Sequence, residues 1–197
     1  MDSVEQSIKR QFAKIFATKD ASLFKMMADA NLQEAAHLRK DNLPVPASLK
    51  LLARNSRKRL LIGIGVELLL KAYYLNAGYY INTIKKNGTH KFPVKFVDAD
   101  EFEFNEDKTI KLSDLVQHLP SPLKNDDMTM RGLQIAKVFR NKEGHSVTRT
   151  HVFDPNDYTD IASALVRVYK YLFGQNLRVH FSVEPNEESI WILKNAP

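Results

Sequence analysis

The chain has 197 residues, no cysteine, and 44% hydrophobic against 26% charged residues. This excludes a disulfide-stapled fold, a thiolate metal site, a cysteine nucleophile and a disordered chain. A count of 29 Lys+Arg against 23 Asp+Glu leaves a net charge of +6, which suits a polyanionic partner.

The longest strongly apolar run, Leu60 to Leu70, is too short for a membrane span and carries Glu67. Asp2 and Glu5 follow Met1 where a secretion signal would have basic and apolar regions. The expectation is a cytoplasmic protein without membrane contact, forming a single domain over residues 1–197.

Ser3 and Gln6 form a capping box, followed by Ile8, Phe12, Ile15 and Phe16 at helical spacing. Asp20 caps a second helix with Phe24, Met27, Ala28, Ala35 and Leu38 on its apolar side, ended by Leu43-Pro44-Val45-Pro46. A third helix is expected from about Ala47 toward Ile84. Its stripe of Leu61, Ile64, Leu68, Ala72 and Leu75 is broadened by Ile62, Val66, Leu69 and Tyr73, which predicts a central position among several neighbours.

Asn87-Gly88 closes that helix, and the apolar period then falls to two at Phe92, Val94 and Phe96 and again at Phe102 and Phe104. These residues predict an inserted β-hairpin over 88–112, with Pro93 on an edge strand. A short helix capped by Ser113 ends at Pro120, and a fourth helix runs from about Asp127 to Lys142 with Leu133, Ile135, Ala136 and Phe139 inward. Asp154, Pro155 and Gly174 bracket a fifth helix. Alternation from Leu177 to Val183, a turn, and Ile190-Trp191-Ile192-Leu193 predict a C-terminal β-hairpin within 175–197. The expected fold class is mainly α, a helical bundle with an inserted β-hairpin and a C-terminal β-hairpin.

Charge is unevenly placed. Lys50, Arg54, Arg57, Lys58 and Arg59 form a run without an acid, whereas six acids and no base lie between Asp98 and Asp107. The basic run is a candidate RNA-binding surface or a solvated helix face. The aromatic residues read as core rather than as stacking platforms for bases.

Phosphate loops, GxGxxG, GxSxG and HExxH are missing from the sequence. The histidines are His37, His90, His118, His145, His151 and His180, and no two share metal-ligand spacing on one helix. His145 and His151 with remote carboxylates make the one conceivable metal set, and no metal or other cofactor is expected.

What remains is Arg140-Asn141-Lys142-Glu143-Gly144-His145. On an unbroken helix Arg140 and His145 would point about 140° apart. Gly144 can break the helix and let the imidazole fold back. An imidazole moves protons near neutral pH and a guanidinium stabilises phosphorane charge, the two needs of RNA cleavage by its own 2′-hydroxyl. The alternative is two ordinary polar residues satisfying carbonyls and the dipole at a helix end.

This segment resembles the Arg-x(4–6)-His motif of the HEPN superfamily, in which a polar residue often follows the arginine. Gly65-Val66-Glu67-Leu68-Leu69-Leu70-Lys71-Ala72-Tyr73 is similar to the acidic residue and apolar run of an earlier HEPN helix, and the helix order fits over roughly residues 47–174. The resemblance implies a helical homodimer acting as a metal-independent endoribonuclease, with the motif lining a cleft between subunits. By matching position Arg140 and His145 would be catalytic, Asn141 would support the site and Glu67 would be its neighbour. Such proteins are common in prokaryotic toxin–antitoxin and antiphage systems, so an antitoxin or defence partner protein is implied beside RNA. Val147 stands where a subset of the family carries a tyrosine. The alternative within the resemblance is a non-catalytic HEPN-like module that binds RNA or nucleotides, or a dimerising partner protein.

Glu67 has a second reading. It stands four residues before Lys71, a favourable spacing for a local ion pair. Its turn neighbours Leu60, Gly63, Leu70 and Tyr74 are mostly apolar, so it needs a partner, and Arg140 is the candidate for structural pairing or catalytic orientation.

Overall fold

The structure, a computed structural model, describes residues 3–16, 19–38, 46–85, 92–142 and 154–181. The capping box is formed: Ser3 N donates to Gln6 Oε1 and Gln6 N to Ser3 Oγ, both at 3.2 Å, opening α1 (Val4–Phe16). Asp20 accepts from Ser22 N at 2.9 Å and starts α2 (Ala21–His37). This helix ends at His37, ahead of the proline pair expected to stop it.

The long third helix is α3 (Ala47–Asn76). It ends eight residues before the expected Ile84. Ala77 closes it and Gly78 follows at φ +82°, the left-handed region open to glycine. The residues after that turn form β1 (Asn82–Ile84), so their apolar character continued the helical pattern without continuing the helix.

The inserted β-hairpin is corrected in its pairing. Phe92–Phe96 makes no strand, and Tyr79 and Lys95 form an isolated bridge. The cis Phe92–Pro93 bond precedes a 3₁₀ helix, Phe96–Glu101, and then β2 (Phe104–Thr109). β2 pairs antiparallel with β1, with Asn82 opposite Thr109 and Ile84 opposite Phe104.

The short helix is α4 (Leu112–Gln117), entered at Lys111 rather than capped by Ser113, and α5 (Ser121–Lys124) begins directly after Pro120. α6 (Asp127–Lys142) has the expected bounds. α7 (Pro155–Phe173) is capped by Asp154, which accepts from Asn156 N at 2.8 Å, and closed by Gly174 at φ +63°. Beyond it, residues 175–181 form no strand, and the rest of the expected C-terminal hairpin lies outside the described residues. The architecture is mainly helical with a small two-stranded antiparallel sheet.

α3 lies in the middle, as its broad apolar surface predicted. Phe24, Ala28, Leu32 and Ala35 of α2 are buried, as are Ile62, Val66, Leu69 and Leu70 of α3. Leu133, Ala136 and Phe139 of α6 and Ile161, Leu165 and Val168 of α7 continue the same core. Full burial of each large side chain contributes about 1.5–3 kcal/mol. Arg167 of α7 pairs with Asp126, whose carboxylate also accepts from Thr129 N at 3.1 Å in the first turn of α6. These pairings hold the Asp126 carboxyl below its usual range, the guanidinium first and Thr129 second.

Candidate functional site

Three residues one turn apart on α3, Gly63, Glu67 and Lys71, meet the C-terminal end of α6 and the end of β2. The α3–α6 approach is close because Gly63 has no side chain. A Cβ there would lie 2.6 Å from Arg140 N and 2.7 Å from Arg140 Cα. The last turn of α6 therefore rests directly on α3 at the residue that begins the motif.

One turn further along α3, the Glu67 carboxylate is divided between two cations. Arg140 Nε donates to Oε2 at 2.8 Å, and Lys71 Nζ donates to Oε1 at 2.5 Å. Lys71 Nζ also donates to Thr109 Oγ1 at 2.8 Å, so the last residue of β2 joins the cluster. Exposure grades outward along the chain of contacts: the Lys71 side chain is 5% exposed, Glu67 15% and Arg140 39%.

Two cations share one carboxylate, so the cluster carries a formal charge of +1. Burial pushes the Lys71 ammonium below its usual range; Glu67 opposes that shift and the Arg140 charge adds to it. The pairing of Glu67 with both Arg140 and Lys71 is the one its sequence setting suggested.

Glu67 holds Arg140 through Nε. Among the described residues no other partner of that guanidinium is present, and its side chain is partly exposed. A planar guanidinium fixed at one nitrogen is well prepared to grip an oxyanion with the others. Asn141 follows, exposed, in the last turn of α6. His145, the other half of the motif, lies outside the described residues, as do His151 and Val147.

The basic run divides. Arg54, Lys58 and Arg59 are buried within α3, each at most 8% exposed, Lys50 is half-buried, and Arg57 is exposed but paired with Glu34 of α2. These five residues are not brought together as one exposed stripe. They also belong to the first half of α3, ahead of Gly63 and Glu67. Among the described residues no group of three His, Cys, Asp or Glu is placed to hold a metal ion, and no helix is long and apolar enough to cross a membrane.

Two functional features escaped the sequence. The Lys71–Thr109 bond joins residues 38 apart across elements whose pairing local alternation does not reveal. Gly63 did carry a signal: a glycine inside a long helix costs about 0.5–1 kcal/mol relative to alanine, and close backbone approach is the usual reason for it.

Comparisons with family models, with curated proteins and with solved structures give no match.

Proposed function

We propose that the chain is a HEPN-like endoribonuclease that cleaves RNA by 2′-hydroxyl transesterification without a metal ion. It would act as a homodimer in a toxin–antitoxin or antiphage system of a prokaryotic cytoplasm. The observation that carries this reading is the Glu67–Arg140 ion pair, which joins the two segments that resemble the family. Their juxtaposition is what a shared site requires, and two segments 73 residues apart need not have met.

In this reading the Arg140 guanidinium, steadied by Glu67, binds the scissile phosphate and neutralises the charge that grows on its oxygens. The His145 imidazole takes or returns a proton, and Asn141 supports the site beside them. Transesterification needs one group to accept the 2′-hydroxyl proton and another to protonate the leaving 5′-oxygen. A two-fold axis near the motif would bring in a second imidazole and a second guanidinium, because such an interface is self-complementary. Lys50 and Arg57 are the members of the basic run that remain accessible for phosphate contact.

The test is RNA incubated with the purified protein in EDTA. Fragments ending in 2′,3′-cyclic phosphate and 5′-hydroxyl groups are expected. His145→Ala and Arg140→Ala should each lower the rate by about 10²–10³-fold or more, the scale of a lost proton-transfer group or oxyanion donor. An absolute need for Mg²⁺ or Mn²⁺, or undiminished cleavage in both variants, would overturn the mechanism. Binding without cleavage would leave an RNA-binding module instead.

A further inference from the structure

The acidic run of residues 98–107 takes no part in the site above, yet it borders an aromatic corner that already holds a cation. Tyr80 stacks on Phe104 with ring centres 4.5 Å apart and 20° between planes, and Phe96 stands edge-on to Tyr80 at 4.8 Å and 83°. Lys19 Nζ lies over both walls of that corner, 5.1 Å from the Tyr80 centroid and 4.7 Å from that of Phe96. The three rings are half-buried and Lys19 is exposed.

Phe96 opens the 3₁₀ helix whose Asp98, Asp100 and Glu101 are exposed, and the exposed Glu103 directly precedes Phe104. Lys95 and Lys85, whose backbone N–H donates to Glu103 O, are the neighbouring bases among the described residues, so four acids stand beside two. Val97, between Phe96 and Asp98, is 83% exposed.

Aromatic faces attract cations through their quadrupole, and a nearby excess of carboxylates strengthens that attraction and speeds encounter. An exposed valine offers apolar contact to the methylene stem of a lysine or arginine. We propose that the corner formed by Tyr80 and Phe96, flanked by Asp98, Asp100, Glu101 and Glu103, docks a lysine- or arginine-bearing segment of a partner protein, whose cationic side chain displaces Lys19. The surface is independent of RNA cleavage and stands whether or not Arg140 is catalytic.

Fluorescence anisotropy of labelled octalysine, with fully acetylated octalysine as control, tests this in the intact protein. Octalysine should bind and the acetylated peptide should not. Phe96→Leu, which keeps an apolar side chain but loses the ring, should weaken binding by roughly tenfold. Neutralising Asp98, Asp100 and Glu101 together should weaken it and flatten its salt dependence. Lys19→Met removes the internal competitor and should tighten binding severalfold. This last variant is at an exposed position, so it decides the matter even where Phe96→Leu fails to fold. Absence of octalysine binding, equal binding of the acetylated peptide, unchanged affinity in folded Phe96→Leu, or no gain in Lys19→Met overturns the proposal.

Discussion

Gly63→Ala should destabilise the protein by about 1–3 kcal/mol, the cost of forcing a methyl group into a filled contact. Helix propensity alone predicts the opposite sign, since alanine gains about 0.5–1 kcal/mol over glycine inside a helix. The contact decides because the atoms in the way are backbone: Arg140 N at 2.6 Å and Arg140 Cα at 2.7 Å from the new Cβ. A flexible side-chain end could swing aside, but here the last turn of α6 must lift from α3. Gly65 makes a useful contrast, because its nearest obstruction is the Leu32 side chain, with Cγ at 2.7 Å. Urea denaturation measures both variants. A raised midpoint in Gly63→Ala would show that α6 does not lie this close to α3. Under the proposed ribonuclease reading, cleavage should fall along with stability, because Arg140 moves away from Glu67.

Glu67→Ala should cost of order 3 kcal/mol near neutral pH, because it leaves the Lys71 ammonium buried beside Arg140 without its carboxylate. Arg140, with its side chain 39% exposed, can turn toward water, so the larger share of that cost falls on Lys71. Burial already holds Lys71 below the ordinary lysine value of 10.5, with the Arg140 charge adding and Glu67 opposing. The folded state thus gives up the proton at a lower pH than the unfolded chain does. Between those two pKa values the unfolded state binds more protons, so stability rises with pH across that window up to 10.5.

Removing Glu67 deletes the interaction that favours the charged ammonium, so the window should open at lower pH and the rise should be larger. Lys71→Met should abolish the rise in either background. Denaturation midpoints between neutral pH and 10.5 check this. Parallel pH profiles for wild type and Glu67→Ala would mean that the carboxylate does not govern the lysine.

Local signals were legible wherever the chain states its own boundaries. Asp154, Pro155 and Gly174 carry fixed stereochemical roles, so α7 was readable to the residue, and Ser3 with Gln6 opened α1 in the same way. The end of α3 was hidden because Tyr79, Tyr80 and Ile81 are apolar under either period, and the deciding fact is the positive φ of Gly78. The hairpin was misassigned for a different reason. Alternation shows that a segment suits a strand, but the partner is chosen by tertiary packing, and β2 found β1 rather than Phe92–Phe96.

At the site, the partly buried acid and its need for a cation could be inferred from the apolar neighbours of Glu67. The third party, Thr109, could not, since nothing around it in sequence points toward α3. The basic run shows the limit of reading charge from a string. Arg54, Lys58 and Arg59 look like surface, yet α3 is central enough to enclose them.

The hydrogen bond from Lys71 to Thr109 changes what kind of object the small sheet is. Two strands alone are marginal in water and would ordinarily fray and re-form on their own. Here β2 ends on an ammonium anchored deep in α3, and the next residue, Ile110, donates its N–H to Ile81 O at 2.7 Å while its side chain enters the core. Opening the strand pair therefore means exposing a buried charge and part of the hydrophobic cluster together. Thermodynamically the strand pair belongs to the same cooperative unit as the central helix, so the hydrogen-bonded amides of β1 and β2 should share the protection of global unfolding rather than exchange by local fluctuation.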